Sequence, residues 1–290
     1  MLTDNKETLL EKEIENKAKT NKEKPVDLRK YNSEQIKLMK PSRNLESPFA
    51  NMKISDSSFL NNLDGRSSCV QCGKSRKYFC YTCYIPVPDI ADKIPKVKLP
   101  CKIDIIKHPK EIDGKSTAVH AAVIAPDDVA IYTYPNLPDY STQENILLIF
   151  PDKDAICIED LWSHLDRENK RRPEEPQIKR SRPQIPFTKA VFIDCTWNQT
   201  RKLYSDERIR GLQCVELTNR ETLFWRYQRG KPHTYLATIE AVYYFLVDVH
   251  TNVLKSEYAN EYDDLLFFFK FMFEKIHSLY DKYSLRAYKV

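Results

Sequence analysis

Two C-x-x-C pairs, Cys69-Val-Gln-Cys72 and Cys80-Tyr-Thr-Cys83, stand seven residues apart, with Gly73 directly after the first. Each pair can turn two thiolates onto one ion through a tight turn, and four thiolates close a tetrahedral shell with no open position. That donor set suits structural zinc, not catalysis. Unligated thiols, or disulfides in an oxidised chain, are the alternative. The chain holds eight cysteines and is charged from Asp4 onward, which does not read as a secretory signal. A reducing compartment follows, where metal is favoured over disulfides. Tyr78, Phe79, Tyr81 and Tyr84 surround the pairs and either pack on the knuckle or stack on bases. Lys74, Arg76 and Lys77 form a small basic patch that suits phosphate contact or plain solvation.

A second chemistry is written in Val191-Phe192-Ile193-Asp194-Cys195-Thr196-Trp197-Asn198-Gln199-Thr200-Arg201. The short, partly β-branched apolar run reads as a buried strand that ends at a carboxylate. In open α/β sheets ligands lie beyond the carboxyl ends of strands, which is where Asp194 falls. Read from spacing alone, Asp194 equally suits the cap of the helix that follows. Further on, Trp225 and Arg226, with Arg229 and Lys231 nearby, interleave aromatic and basic character as nucleic-acid contacts do; core packing of Phe224 or Trp225 is the alternative.

The elements that must position these groups alternate strand and helix. Leu99–His108, Val129–Tyr132, Ile146–Phe150 and Val215–Leu217 read as strands, and the turn Phe150-Pro151 closes the third. Ser116 or Thr117 caps a helix, Ile158–Leu165 looks helical, another helix runs from the Asp194 segment to about Tyr204, and a fourth spans Thr234–Val247. Thr238 and Glu240 lie at the start of that fourth helix, where polar ligand groups are met; Glu240 also suits a plain first-turn acid. The last helix runs from Asp263 to Tyr283 with a core-facing apolar stripe. His108 at a strand end reads as a hydrogen-bonded structural residue, with a base as the alternative. The class is α/β with a mostly parallel sheet.

Composition sets the outer bounds. The 290 residues can bury a sizeable core, and 46 basic against 41 acidic residues permit, without requiring, an RNA partner. Five glycines, at 65, 73, 114, 211 and 230, cannot write a dinucleotide fingerprint or a P-loop. No apolar run is long enough to span a membrane. Residues 1–65 read as a disordered, charged arm, 66–98 as the knuckle and 99–285 as the main domain. An insert at about 166–187, with Lys170-Arg171-Arg172 and Lys179-Arg180-Ser181-Arg182, suits a nuclear signal, an RNA-contacting loop or a solvated loop.

Asp194-Cys195-Thr196-Trp197 resembles the D-x-T-W signature of the DTW-domain family, nearest its eukaryotic type 1 branch. The likeness runs from about Ser67 to about Phe271. His108-Pro109-Lys110-Glu111 resembles the family's H-P-x-E element, Leu148 to Ala155 its L-x-x-P-x-x-x-A element, and Leu236 to Ala241 its L-S-T-x-E-A helix with Ala237 in place of Ser. Ser116-Thr117-Ala118-Val119 stands where many members read T-N-T-G. The resemblance implies a SPOUT-like, knotted sheet and transfer of the 3-amino-3-carboxypropyl group of S-adenosylmethionine to N3 of a uridine in tRNA, in the nucleus. It implies Asp194, Thr196 and Trp197 as catalytic. Phe150, Pro151, Ser116, Thr117, Thr238 and Glu240 become cofactor contacts. Lys74, Arg76, Arg201, Trp225 and Arg226 become RNA contacts, and Cys69, Cys72, Cys80 and Cys83 hold structural zinc. The rival readings are a methyltransferase using the same cofactor and a zinc-knuckle RNA-binding protein without catalysis.

Overall fold

The computed structural model describes residues 47–143, 145–164, 185–196, 199–228, 232–280, 285 and 287. The described fold begins at Ser47. Residues 47–65, which composition assigns to the arm, belong to the packed body. Phe49 meets Phe273 edge-on at 5.3 Å, Leu60 is fully buried, and the Lys53 amide donates to Asp263 at 2.6 Å. A few apolar anchors in a polar stretch are enough to fix it, and composition averages them away.

Two short hairpins come first: β1 (Ser67–Ser68) with β2 (Ser75–Arg76), and β3 (Phe79–Cys80) with β4 (Ile85–Pro86), both antiparallel. Each turn carries one C-x-x-C pair. The main sheet follows: β5 (Lys102–Lys107), β6 (Val129–Thr133), β7 (Ile146–Ile149), β8 (Ile156–Cys157), β9 (Lys189–Asp194) and β10 (Gln213–Glu216). Its order is β6-β5-β9-β7-β10-β8, and every pairing is parallel. Strands buried on both faces need continuous apolar runs, which is how β7 and β9 read.

The helices are α1 (Ala118–Ile124), α2 (Thr200–Tyr204), α3 (Glu207–Arg210), α4 (Thr238–Asp248) and α5 (Phe267–Leu279). Because side chains alternate along a strand, the two faces have different covers. On one face Ile106, Leu148 and Val191 pack with Leu203 of α2 and Ile209 of α3. On the other, Phe192 meets Phe245 of α4 edge-on at 5.7 Å, and α1 packs on α4. Phe268 of α5 meets Phe79 at 4.7 Å and ties the knuckle to this second cover. No helix among the described residues is long and apolar enough to cross a membrane.

Several expectations shift. α4 starts at Thr238, not Thr234, because Glu240 reaches back to the Ala237 amide at 2.8 Å and fixes the first turn there. The segment from Ile158 opens as a 3-10 turn before its helix, and so does the last helix at Asp263–Leu266. Phe187, placed in the insert by composition, is buried against Phe245. The strand β8 has only two residues and no alternation to announce it.

Candidate active site

The register of β9 creates the site. Asp194 sits opposite Lys107 of β5, whereas β7 ends at Ile149 opposite Phe192. β9 therefore overhangs β7 by two residues, and the carboxyl edge of the sheet has a step. Asp194 shares the face of Phe192, toward α1 and α4. Its Oδ2 accepts from Ser116 Oγ at 2.7 Å, and its Oδ1 accepts from Thr238 Oγ1 at 2.6 Å. These partners lie 78 and 44 residues away in the chain. The helix-cap reading of Asp194 is thereby excluded. The position before α2 is Gln199, and the carboxylate spans two other segments.

Asp194 is 5% exposed, and among the described residues it has no ion-pair partner. Lys107, the nearest strand neighbour, is paired to Asp113 instead. Burial pushes the Asp194 pKa up, while the Ser116 and Thr238 hydroxyls and the Lys107 charge pull it back and Asp113 adds to the rise. Glu111 is raised too, first by burial and then by Asp194's charge, with Arg226 opposing. A buried, unpaired carboxylate fits a cationic ligand, which would supply the missing counter-charge.

Ser116 joins Asp194 to a cavity of about 360 Å³. Its walls are the knuckle (Tyr81, Lys77), the Asp113–Thr117 loop, His120 of α1, and the Trp225–Arg226 segment. Ser116 Oγ also accepts from the Ala118 amide at 3.2 Å, and Thr117 Oγ1 accepts from the Ile239 amide at 3.2 Å, so α1 and α4 are locked together behind the carboxylate.

Asp194, Ser116 and Thr238 form one hydrogen-bonded group, with Thr117 beside it bonded to the Ile239 amide; Arg76, Trp225 and Arg226 line the adjoining cavity. Phe150 stacks on Tyr204 at 4.8 Å and Pro151 is exposed, both at the lower side of the step. Thr196 is exposed, and its carbonyl caps the next turn by accepting from the Gln199 amide at 2.8 Å. Trp197, Arg229 and Lys231 lie outside the described residues. Lys74 and Arg201 are exposed and away from the cavity walls.

Two assignments need correction. The Glu240 carboxylate is taken up within the fold: it accepts from Thr222 Oγ1, the Leu223 amide and the Ala237 amide at 2.5, 2.6 and 2.8 Å. It anchors the segment that carries Trp225, which leaves no role as a direct cofactor contact. Arg76 is not a free phosphate ligand. It is 7% exposed, lies over the Tyr81 ring at 3.7 Å and donates to Tyr81 Oη at 3.0 Å and Thr82 Oγ1 at 3.2 Å. His108 is structural, as read: it is buried and its Nδ1 accepts from the Lys110 amide at 3.1 Å.

The sulfurs of Cys69, Cys72, Cys80 and Cys83 all lie within 4.8 Å of one another. The Gly73 amide donates to the Cys69 carbonyl and the Tyr84 amide to the Cys80 carbonyl, each at 2.8 Å. The two pairs thus make the same turn, with the following residue at φ +67° (Gly73) and +59° (Tyr84). Four sulfurs so placed fit one tetrahedral ion with Zn–S bonds of about 2.3 Å.

His120 was missed as a cavity residue, whereas Tyr81, read as packing on the knuckle or stacking on bases, borders the cavity. The signal for His120 was its closeness in the chain to Ser116, which lies just ahead of α1.

With the step, its braced carboxylate and the four-thiol knuckle in place, the chain belongs to the DTW domain family, which it matches over residues 77–277. It is 47% identical over 251 residues to tRNA-uridine aminocarboxypropyltransferase 1 of Xenopus tropicalis, covering 78% of this chain and 85% of that protein. To the Homo sapiens protein of the same name it is 47% identical over 256 residues, covering 80% and 84%. To that of Rattus norvegicus it is 48% identical over 235 residues, covering 73% and 77%. No solved structure matches significantly.

Proposed function

We propose that this chain is a tRNA-uridine aminocarboxypropyltransferase, moving the 3-amino-3-carboxypropyl group of S-adenosylmethionine to N3 of a uridine in tRNA. The observation that carries the reading is the Asp194 carboxylate, buried, braced by Ser116 and Thr238 and without an ion-pair partner among the described residues. Family membership and the named relatives support the reaction. S-adenosylmethionine, when bound, supplies an electrophilic carbon beside a sulfonium. Asp194 lies where its negative charge offsets such a cation, and Thr238 with the Phe150-Pro151 turn borders the same step.

N3 of uridine must lose its proton. Ser116 Oγ has one lone pair taken by the Ala118 amide, and its hydrogen points to Asp194. Its second lone pair faces outward to accept the N3 proton while its own proton passes to Asp194 Oδ2. An ordinary carboxylate, with pKa near ~3.9, is a weak base for this step; the burial that raises Asp194 strengthens it. In balance, N3–H and C–S bonds break, a carboxyl O–H and an N3–C bond form, and neutral methylthioadenosine leaves.

In the same reading the four thiolates hold a structural zinc. The sheet is of the knotted, SPOUT-like kind, a view supported by β9 and β10 entering between strands that precede them in the chain. The basic clusters between residues 170 and 182 act as a nuclear signal.

The test uses unmodified tRNA and S-adenosylmethionine labelled in either its carboxyl or its methyl group. Carboxyl label on the tRNA, with methylthioadenosine released, is the expected result. Methyl label alone makes the chain a methyltransferase. Neither label on tRNA that still binds makes it a binding protein.

A further inference from the structure

His120 is a polar residue in an apolar place. It is 5% exposed on α1, with Phe79 at 5.5 Å and Phe268 at 5.9 Å between ring centroids. Its Nδ1 is sealed from solvent and has no hydrogen-bond partner among the described residues. A buried polar atom without a partner is uncommon and calls for a reason, because it forfeits its solvation. A phenylalanine would serve the packing at no such cost. His120 also lines the cavity beside Ser116.

The rest of that cavity is built for a flat, polar-edged ring. Trp225 and Tyr81 border it, and Lys77, Lys115 and Arg226 put positive charge around it. Aromatic side chains with a cationic rim suit a nucleobase with its ribose-phosphate. The volume, about 360 Å³, lies in the range of small-ligand pockets.

We propose that the target uracil lodges in this cavity and that His120, through Nε2 because Nδ1 is sealed, donates a hydrogen bond to its O4. The inference rests on the uridine reading above and assigns a pocket and a specificity residue to it. In uracil the N3–H is flanked by O2 and O4. On the cavity wall Ser116, just ahead of α1, offers an acceptor to N3–H, and His120, in the first turn of α1, offers a donor. The match runs edge to edge: acceptor, donor, acceptor on the base against donor and acceptor on the wall. Cytosine has no N3 proton and carries an amine in place of O4, so it leaves Ser116 and His120 unmatched. As N3 gives up its proton, negative charge spreads onto both carbonyl oxygens, and a donor already aimed at one of them gains strength in the transition state. Burial holds the His120 pKa down at about 3, so the imidazole stays neutral and keeps one N–H to donate.

His120→Phe separates packing from recognition. The ring volume is kept among aromatic neighbours, so the melting temperature and S-adenosylmethionine affinity stay at wild-type values. The kcat/KM for tRNA falls by about 100-fold, the effect of removing one such donor, and His120→Gln, which restores a donor, recovers part of it. Wild-type turnover by His120→Phe overturns the proposal and leaves the uridine reading standing. Absence of carboxyl label on tRNA with the unaltered protein overturns both. Should His120→Phe lose its fold, a second measurement decides. Wild-type protein is irradiated with tRNA carrying 4-thiouridine at the acceptor position. Cross-links to the peptides of Tyr81 or Trp225 support the pocket, and cross-links confined to other peptides overturn it.

Discussion

The cysteine knuckle and the Asp194 site are neighbours across one cavity, yet they are built in opposite ways. The knuckle is local: its four sulfurs come from fifteen consecutive residues, 69–83, and two short turns gather them. The Asp194 site is long-range: its braces come from 78 residues upstream and 44 residues downstream, and only the completed sheet brings them together. The local site gathers its donors without help from distant segments. The long-range site instead holds a charge the fold resists, and depends on the packing around it.

That contrast predicts opposite responses to removing the chemistry. Asp194→Asn is expected to cut transfer about 1000-fold, the order of a lost general base. It should also raise the melting temperature at neutral pH. The folded-state pKa of Asp194 lies above its unfolded value, so the carboxyl favours folding only while protonated. That contribution is lost as pH rises through the folded pKa, and the charge is a cost at pH 7. A lower melting temperature for Asp194→Asn at pH 7 would show that the carboxylate stabilises the fold and break the comparison.

At the knuckle the loss of chemistry and of stability should coincide. Chelation, or Cys80→Ser, is expected to release one zinc per chain and lower the melting temperature. It should also reduce kcat/KM for tRNA about 100-fold through displacement of a cavity wall, with cofactor affinity retained. Titration of released metal against residual activity checks it; loss of cofactor binding in parallel would mean the two regions are not separable.

Ser116→Ala sharpens the link between them. It removes the hydroxyl that relays the N3 proton as well as one of the two donors that lower the Asp194 pKa, so transfer should fall about 100-fold. The acid limb of the pH–rate profile should move to higher pH. An unshifted profile would place the titrating group elsewhere.

The smallest effect on chemistry is expected from Glu240→Gln. Its three accepted bonds are internal, so the change should cost stability, about 1–3 kcal/mol, and alter the KM for S-adenosylmethionine little. A large rise in that KM with unchanged stability would restore Glu240 as a cofactor contact.

The same contrast explains what the sequence disclosed. The cysteine spacing is legible because its geometry is closed within a few turns. β7 and β9 are legible because strands covered on both faces read as apolar runs, and β5, β6 and β10 by their shorter apolar stretches. The bonds from Ser116 and Thr238 to Asp194 leave no periodicity, so from spacing alone Asp194 read equally as a helix cap. Only the family resemblance put those residues in one site. Glu240 went wrong for a related reason: an acid in the first turn of a helix looks the same whether it faces a ligand or the Leu223 amide. His120 stayed hidden because a histidine on an apolar helix resembles core until its unpartnered nitrogen is seen.

The order of strands in the sheet bears on how the protein is made. β9 lies between β5 and β7, and β10 between β7 and β8, although each follows both neighbours in the chain. A growing polypeptide that has not reached Lys189 has no central strand for β5 and β7 to share, and both present open edges of the kind that invite aggregation. Closing such distant pairings is slow. The strand that completes the sheet is also the one that delivers Asp194. Transfer activity therefore reports complete folding, and a chaperone that shields the two open edges during synthesis would be expected to raise the yield of active enzyme.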